Sequence, residues 1–121
     1  MAKKCVLIVD DSPTDLQLLS ATLKAGGYDV VTATDGEEAV AKATASRPPV
    51  VVLDIVLPKK NGFQVCRQLK TTAETRDIKV ILVSGKNQDS DRFWGKKQGA
   101  DDYIAKPYQD EELLAAIARQ M

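Results

Sequence analysis

Short runs of apolar, mostly β-branched residues recur along this chain, and segments with helical patterns separate them. The clearest runs are Cys5–Val9, Val50–Leu53 and Val80–Val83. Continuous apolar runs of this length are typical of strands that are buried on both faces of a parallel sheet. Weaker runs at Val30–Ala33 and Tyr103–Ala105 predict two further strands. The main constraint on the fold is therefore a set of five candidate parallel strands.

Each candidate strand is followed by a segment in which apolar residues have helical spacing. Ser12 and Pro13 form a favourable helix start, because serine accepts a hydrogen bond from the first turn and proline suits the first helical position. Gly26 and Gly27 predict the end of that helix. The other helices are predicted to cover about Asp35–Ser46, Gly62–Leu69 and Asp89–Gln98, and the segment after Asp110.

The alternation of strand and helix predicts an α/β fold with three layers, in which helices cover both faces of a doubly wound parallel sheet. A closed barrel of this type needs eight strand–helix units, and the chain offers five. A length of 121 residues suits one domain. We therefore expect residues 1–121 to form a single unit without an output domain of its own.

Composition argues against several kinds of chemistry. The chain has no histidine, which rules out Ser-His-Asp catalysis and histidine-ligated zinc. Cys5 and Cys66 form no C-x-x-C motif, and both are expected to be small buried residues in a reducing cytoplasm. Basic and acidic residues number 17 each, so no net charge favours nucleic acid as a partner. No stretch approaches the roughly 20 apolar residues that span a bilayer, and no membrane insertion is expected.

Charged and polar residues follow the candidate strands at the points where the strands end. Asp10 and Asp11 come after the first strand and Asp54 after the third, while Ser84 and Lys106 end the fourth and fifth. If the first and third strands are neighbours, the three carboxylates converge in one crevice. Three aspartates and one lysine leave a charge of −2, which one hard cation such as Mg²⁺ would neutralise. A bound phosphoryl group could use the same cation, together with Lys106 and Ser84.

With these residues, the chain resembles bacterial response-regulator receiver domains of the single-domain, CheY-like kind. The matching positions, spread over essentially the whole chain, are Asp10, Asp11, Asp54, Pro58, Gly62, Ser84, Lys106 and Pro107. The resemblance implies a flavodoxin-like sheet with strand order 2-1-3-4-5. A finer similarity, carried by Phe93–Tyr103 and Thr71–Thr75, is to regulators of pilus-dependent motility with chemotaxis-like signalling.

The resemblance implies a role for each acidic residue. Asp54 is expected to accept a phosphoryl group from a phosphohistidine on a histidine kinase or histidine phosphotransfer protein, or from a small phosphodonor. Asp11, Asp54 and the backbone carbonyl of Val56 are expected to hold Mg²⁺, with Asp10 acting directly or through water. Lys106 is expected to pair with the phosphate. Positioning and charge neutralisation are what phosphoryl transfer requires of a protein.

The resemblance also implies how the signal spreads. Ser84 would bond to the phosphate and shift, and Tyr103 would turn inward as Ser84 moves. A cis peptide bond would precede Pro107. The face formed by the fourth helix, fifth strand and fifth helix would then bind a downstream protein target. On this reading the protein is a switch that takes part in its own phosphorylation, and it is not an enzyme with a separate substrate.

Several alternatives stay open at the level of sequence. Asp10 and Asp11 could form a plain strand-to-helix turn, favoured by the helix dipole. An aspartate-nucleophile phosphohydrolase would carry a second aspartate at position 56, where this chain has Val56. A nucleotide- or flavin-binding domain of the same fold would need a glycine-rich phosphate loop, which is absent. A degenerate receiver would act as a constitutive interaction module, although Asp54 and Lys106 are intact.

Some positions depart from the common receiver pattern or allow two interpretations. Ser84 stands where many relatives have threonine, and Gly85 stands where alanine is common. Beside the expected site, Val56 has no polar side chain to orient a water, and Lys86 adds a positive charge. Trp94 is interpreted as a packing residue of an amphipathic helix, with partner contact as the alternative.

Overall fold

The computed structural model describes residues 4–85 and 89–121. Within these residues the strands are β1 (Cys5–Val9), β2 (Asp29–Ala33), β3 (Val50–Asp54), β4 (Lys79–Ser84) and β5 (Asp102–Ala105). The helices are α1 (Pro13–Ala25), α2 (Gly36–Ser46), α3 (Gly62–Thr71), α4 (Asp89–Lys97) and α5 (Asp110–Gln120). All ten elements lie where the sequence predicts them, with ends that differ by one or two residues. Asp54, for example, is the last residue of β3 and does not follow it.

The strands form one sheet in the order β2-β1-β3-β4-β5, and every neighbouring pair is parallel. This confirms the predicted α/β fold and its strand order. The order reverses between β1 and β3, and the carboxyl ends of strands at such a reversal border a crevice. The register pairs Val9 with Leu53 and Asp54 with Val83, so β1, β3 and β4 end at the same edge.

Two apolar clusters cover the two faces of the sheet, because successive side chains of a strand point to opposite sides. In β1, Leu7 and Val9 join one cluster, and Val6 and Ile8 join the other. Helices α2 and α3 complete the first cluster, and α1 and α5 complete the second. This arrangement confirms that the apolar runs are buried on both faces.

The helices begin at residues that satisfy the free N–H groups of the first turn. The Ser12 hydroxyl accepts a hydrogen bond from the Asp15 N–H, with 3.3 Å between donor and acceptor, and Pro13 is the first residue of α1. At α3, Asn61 and Gln64 form a reciprocal capping box.

Two residues, Cys5 and Trp94, are more exposed than we expected from the sequence. Cys66 is buried, but Cys5 is only half-buried, because β1 begins at the rim of the sheet. Trp94 is 53% exposed and stacks edge-to-face on Phe93 with a centroid distance of 5.7 Å. Trp94 therefore lies outside the core, and its ring packs at the surface of α4 against Phe93.

The amino ends of β4 and β5 are joined through the side chain of Asp101. Its Oδ2 accepts a hydrogen bond from the Val80 N–H at 2.8 Å and forms an ion pair with Lys70 Nζ at 2.7 Å. The backbone N–H of Asp101 in turn donates to the Val80 carbonyl at 2.8 Å. These contacts link α3, β4 and β5 at the edge of the sheet opposite the crevice.

Candidate functional site at the carboxyl edge of the sheet

Three carboxylates meet where β1 and β3 end. One oxygen from each of Asp10, Asp11 and Asp54 lies within 4.8 Å of the other two. Asp10 is buried, Asp54 is partly buried and Asp11 is exposed. Residues more than 40 positions apart in sequence therefore share one crevice, as the neighbouring positions of β1 and β3 require.

Lys106 directly follows β5, and its side chain extends to this group of carboxylates. Its Nζ is 3.3 Å from Asp10 Oδ2 and 3.3 Å from Asp54 Oδ2. The backbone N–H of Lys106 donates to the Ser84 carbonyl at 2.8 Å, which extends the pairing of β5 with β4. The Lys106–Pro107 peptide bond is cis, as expected from the resemblance.

The two aspartates that contact Lys106 are held in the same way. Asp10 Oδ1 accepts from the Ser12 N–H at 3.0 Å, and Asp54 Oδ1 accepts from the Val56 N–H at 3.1 Å. In each case Oδ2 faces the lysine. A backbone donor on one oxygen and an ammonium on the other fix the rotation of both carboxylates.

The charges in the crevice shift the pKa values of Asp54 and Lys106. Burial raises the pKa of the Asp54 carboxyl above its usual 3.8, while Lys106 and the Val56 N–H act in the opposite direction. Burial alone would lower the pKa of Lys106, but the charges of Asp54 and Asp10 outweigh that effect and the net shift is upward. Lys106 therefore stays protonated, and one ammonium does not offset the acidic group completely.

The donor set fits a hard divalent cation. Carboxylate oxygens are the ligands that Mg²⁺ prefers, and this ion binds through one or two carboxylates while it keeps several waters. Exposure of Asp11 leaves such a hydrated ion a way in. Among the residues that the structure describes, no other group of three acidic or sulfur ligands comes as close together.

The two expected switch residues lie beside this group on β4 and β5. Ser84 is fully buried at the end of β4 and pairs with Ala105. Tyr103 is half-buried and packs against the apolar cluster formed with α2 and α3. The Arg92 guanidinium of α4 lies 4.8 Å from the centre of the Tyr103 ring. Lys86, expected to add charge here, lies outside the described residues.

Sequence reasoning missed part of this site. Asp15 Oδ2 lies 3.9 Å from Lys106 Nζ, and a signal was available, because Asp15 is in the first turn of α1, directly after the turn that carries Asp10 and Asp11. A cleft of about 530 Å³ also extends from Asp10 and Lys106 between α1 and the start of α5, past Leu18 and Tyr108. This cleft forms because two helices that are distant in sequence pack side by side, so no local sequence pattern predicts it.

Comparison with known proteins agrees with the geometry. Residues 6–118 match the response regulator receiver domain family. Protein PilH of Pseudomonas aeruginosa is 50% identical over 112 residues, which are 93% of each chain. The alkaline phosphatase synthesis transcriptional regulatory protein PhoP of Bacillus subtilis is 40% identical over 94% of this chain, which spans only 47% of that protein. The similarity to PilH agrees with the finer resemblance to regulators of pilus motility.

A solved structure shows the same fold. The chemotaxis protein CheY4 of Vibrio cholerae superposes with a TM-score of 0.93 at 32% identity, and the match covers 99% of this chain and 100% of CheY4. No helix among the described residues has both the length and the apolar character needed to cross a bilayer. The sheet order, the acidic crevice and these similarities lead to one conclusion: the chain belongs to the response-regulator receiver domain family.

Proposed function

We propose that this chain is a phosphorylation-driven switch in which Asp54 accepts a phosphoryl group in a magnesium-dependent reaction. The donor is the phosphohistidine of a histidine kinase or of a histidine phosphotransfer protein. The observation that carries the proposal is the position of Asp54, which shares one crevice with Asp10, Asp11 and Lys106. A carboxylate placed there combines a nucleophilic oxygen with charges that can offset an incoming phosphate.

In this reaction an Asp54 oxygen attacks the phosphorus atom, and the phosphorus–nitrogen bond to the partner's histidine breaks. The histidine leaves as the neutral imidazole once it has taken up a proton, and Asp54 becomes an acyl phosphate. The Val56 N–H fixes the orientation of the carboxylate through its 3.1 Å hydrogen bond. Lys106, free to move from the aspartates to the phosphoryl oxygens, offsets their charge.

The carboxylates of Asp11 and Asp54 and the backbone carbonyl of Val56 would hold Mg²⁺, with Asp10 acting directly or through water. The bound ion would supply the two further positive charges that Lys106 alone does not provide. Without it, an acidic crevice would repel the phosphate that it must receive.

The switch follows from the new charge on Asp54. The buried Ser84 hydroxyl is at the adjacent strand end, so a hydrogen bond from Ser84 to the phosphoryl group would draw the end of β4 inward. Tyr103 pairs with Leu82 of β4 and contacts Arg92 of α4. A shift of β4 therefore reaches the face formed by α4, β5 and α5, where we place the downstream target.

The similarity to PilH supports a place for this switch in a pilus-dependent motility system with chemotaxis-like signalling. Such a partnership with a kinase belongs in the cytoplasm. Val56 is 58% exposed and offers no acid beside Asp54, which disfavours a phosphohydrolase and supports a switch without a separate substrate.

Incubation with Mg²⁺ and a small acyl-phosphate donor, followed by intact-mass measurement, tests the proposal. We expect the parent protein to gain one phosphoryl group, and Asp54→Asn to gain none. Asp77→Asn, a change at an exposed acid before β4, serves as the control and should still be phosphorylated. Absence of the gain in the parent protein would contradict the proposal and favour a constitutive interaction module.

A further inference from the structure

The first residue of α2 is a glycine, and the reason lies outside the helix. Gly36 does not have positive φ, so its backbone conformation is open to any residue. A Cβ atom at this position would overlap the Lys60 carbonyl oxygen and lie 2.5 Å from Lys60 Cβ. Gly36 therefore permits the amino end of α2 to lie directly against the loop between β3 and α3.

The contact includes a backbone hydrogen bond to an unusual turn. The Pro58 carbonyl accepts from the Gly36 N–H at 3.2 Å and from the Lys60 N–H at 2.8 Å. The second bond closes a three-residue turn in which Lys59 has a φ of 68°. A γ-turn with a positive φ at its centre is rare and strained for a residue other than glycine. Such a turn persists only where its surroundings hold it.

Charges add to the contact but do not dominate it. Lys59 Nζ lies 3.7 Å from Asp35 Oδ2 and 3.9 Å from Glu37 Oε2. The Lys59 and Glu37 side chains are mostly exposed, and exposed ion pairs contribute little to stability. The main contribution is therefore the close backbone approach of Gly36 to Lys60.

The same loop holds Asp54. Its Val56 N–H donates to Asp54 Oδ1, and the Gly62 N–H donates to the Ile55 carbonyl at 2.8 Å. Gly62 also packs on the backbone of Asp54, since a Cβ at Gly62 would lie 2.5 Å from the Asp54 carbonyl oxygen. The loop is thus closed by α3 on one side and by α2 on the other, with the acceptor carboxylate at its start.

We propose that the amino end of α2 is a positioning element for phosphoryl transfer. It holds the strained Pro58–Lys60 turn. The turn in turn keeps the Val56 backbone where its N–H donates to Asp54 and its carbonyl would bind Mg²⁺. Gly36 acts through the loop and touches neither the phosphate nor the ion. The inference rests on the proposed function of Asp54. Because coupling between two sites is reciprocal, metal binding at Asp54 must also stabilise the contact at Gly36.

The first test compares Gly36→Ala with Gly26→Ala. Gly26 is at the carboxyl end of α1, where a new Cβ would lie 3.0 Å from the flexible Leu114 side chain and at ordinary contact distance from the Leu23 and Thr22 carbonyl oxygens. Residues that orient metal ligands affect metal affinity by about 10-fold or more, so Gly36→Ala should raise the half-saturating Mg²⁺ concentration for phosphorylation about 10-fold. Gly26→Ala should match the parent protein. Equal Mg²⁺ dependence in the two folded variants would overturn the proposal.

The second test uses the parent protein alone, and it decides the question if Gly36→Ala does not fold. Addition of Mg²⁺ without a phosphodonor should slow hydrogen exchange at the Gly36 and Lys60 amides at least twofold more than at the Gly26 amide. An exchange rate at the Gly36 amide that does not change with Mg²⁺ would overturn the proposal. If the parent protein takes no phosphoryl group, the proposed function fails first and this inference fails with it, whereas a phosphorylated parent with unaffected Gly36 refutes the inference alone.

Discussion

Asp10 and Asp54 divide their oxygens between two kinds of partner, and this division is the basis of the site. In each residue one oxygen accepts a backbone N–H and the other faces Lys106. The backbone donors belong to the turns that follow β1 and β3, so the fold itself sets the rotation of the two side chains. In the proposed reaction Lys106 would move from the two carboxylates to the phosphoryl oxygens, and its long, flexible side chain makes this movement easy.

Tyr108 gives a pH-dependent prediction. It packs against the cluster under α1 and α5, and burial raises the pKa of its hydroxyl from 10.0 to about 12, although Lys106 acts in the opposite direction. Between these values the folded state keeps a proton that the unfolded chain has lost. The free energy of unfolding should therefore decline as pH rises from about 10 towards 12.

Denaturant unfolding of the parent protein and Tyr108→Phe at pH 9 and pH 11.5 measures this effect. Because phenylalanine cannot ionise, the variant should lose less stability between the two pH values. Other groups, including Cys66, whose pKa burial raises to about 12, keep part of the decline in the variant. An identical decline in both proteins would show that Tyr108 does not contribute.

At the scale of elements, the starts of α3 and α5 form a natural pair for comparison. Asn61 caps α3 with its side chain and belongs to a capping box, whereas Gln109 precedes α5 without a side-chain cap. Asn61→Ala should lower the free energy of unfolding by about 1 kcal/mol. Gln109→Ala should change it by less than about 0.5 kcal/mol. Chemical denaturation of both variants checks this, and equal losses would assign no stabilising role to the Asn61 cap.

The elements were predictable because their signals are local. Continuous apolar runs mark the strands, and residues such as Ser12 and Pro13 mark helix starts. The alternation alone predicts a parallel sheet, but the strand order came from the resemblance to receiver domains. That order brings Asp10 and Asp54 together, so the position of the site was predictable only once the order was assumed.

Contacts between distant elements were not predictable. Gly36 reads in the sequence as an ordinary helix start, and its contact with Lys60 depends on how α2 packs beside the loop after β3. Trp94 shows the same limit: helical spacing places it on a face of α4, but only the packed structure shows that this face is exposed. Arg92 over Tyr103 likewise depends on the position of α4 against β5.

At the scale of the whole molecule, the equal numbers of acidic and basic residues conceal a local excess of negative charge at one edge of the sheet. Binding of Mg²⁺ there should stabilise the folded state, by about 1.4 kcal/mol at ten times the dissociation constant. Asp11→Ala should lose most of this gain. Its stability without metal should stay within about 0.5 kcal/mol of the parent, because Asp11 is exposed.

Thermal unfolding at increasing Mg²⁺ concentration, with Asp77→Ala as the control, measures the response. The control should follow the parent protein at every concentration. A full Mg²⁺ response in Asp11→Ala would remove Asp11 from the metal site.

The contacts of Asp101 tie the strands together at their amino ends, opposite the carboxyl ends that border the crevice. Its Oδ2 contacts Lys70 and the Val80 backbone, so one side chain holds the carboxyl end of α3 to the amino ends of β4 and β5. In the proposed switch, these contacts would oppose a movement of β4 along β5. We therefore expect the carboxyl ends of β4 and β5, beside Asp54, to move more than their amino ends when the switch acts.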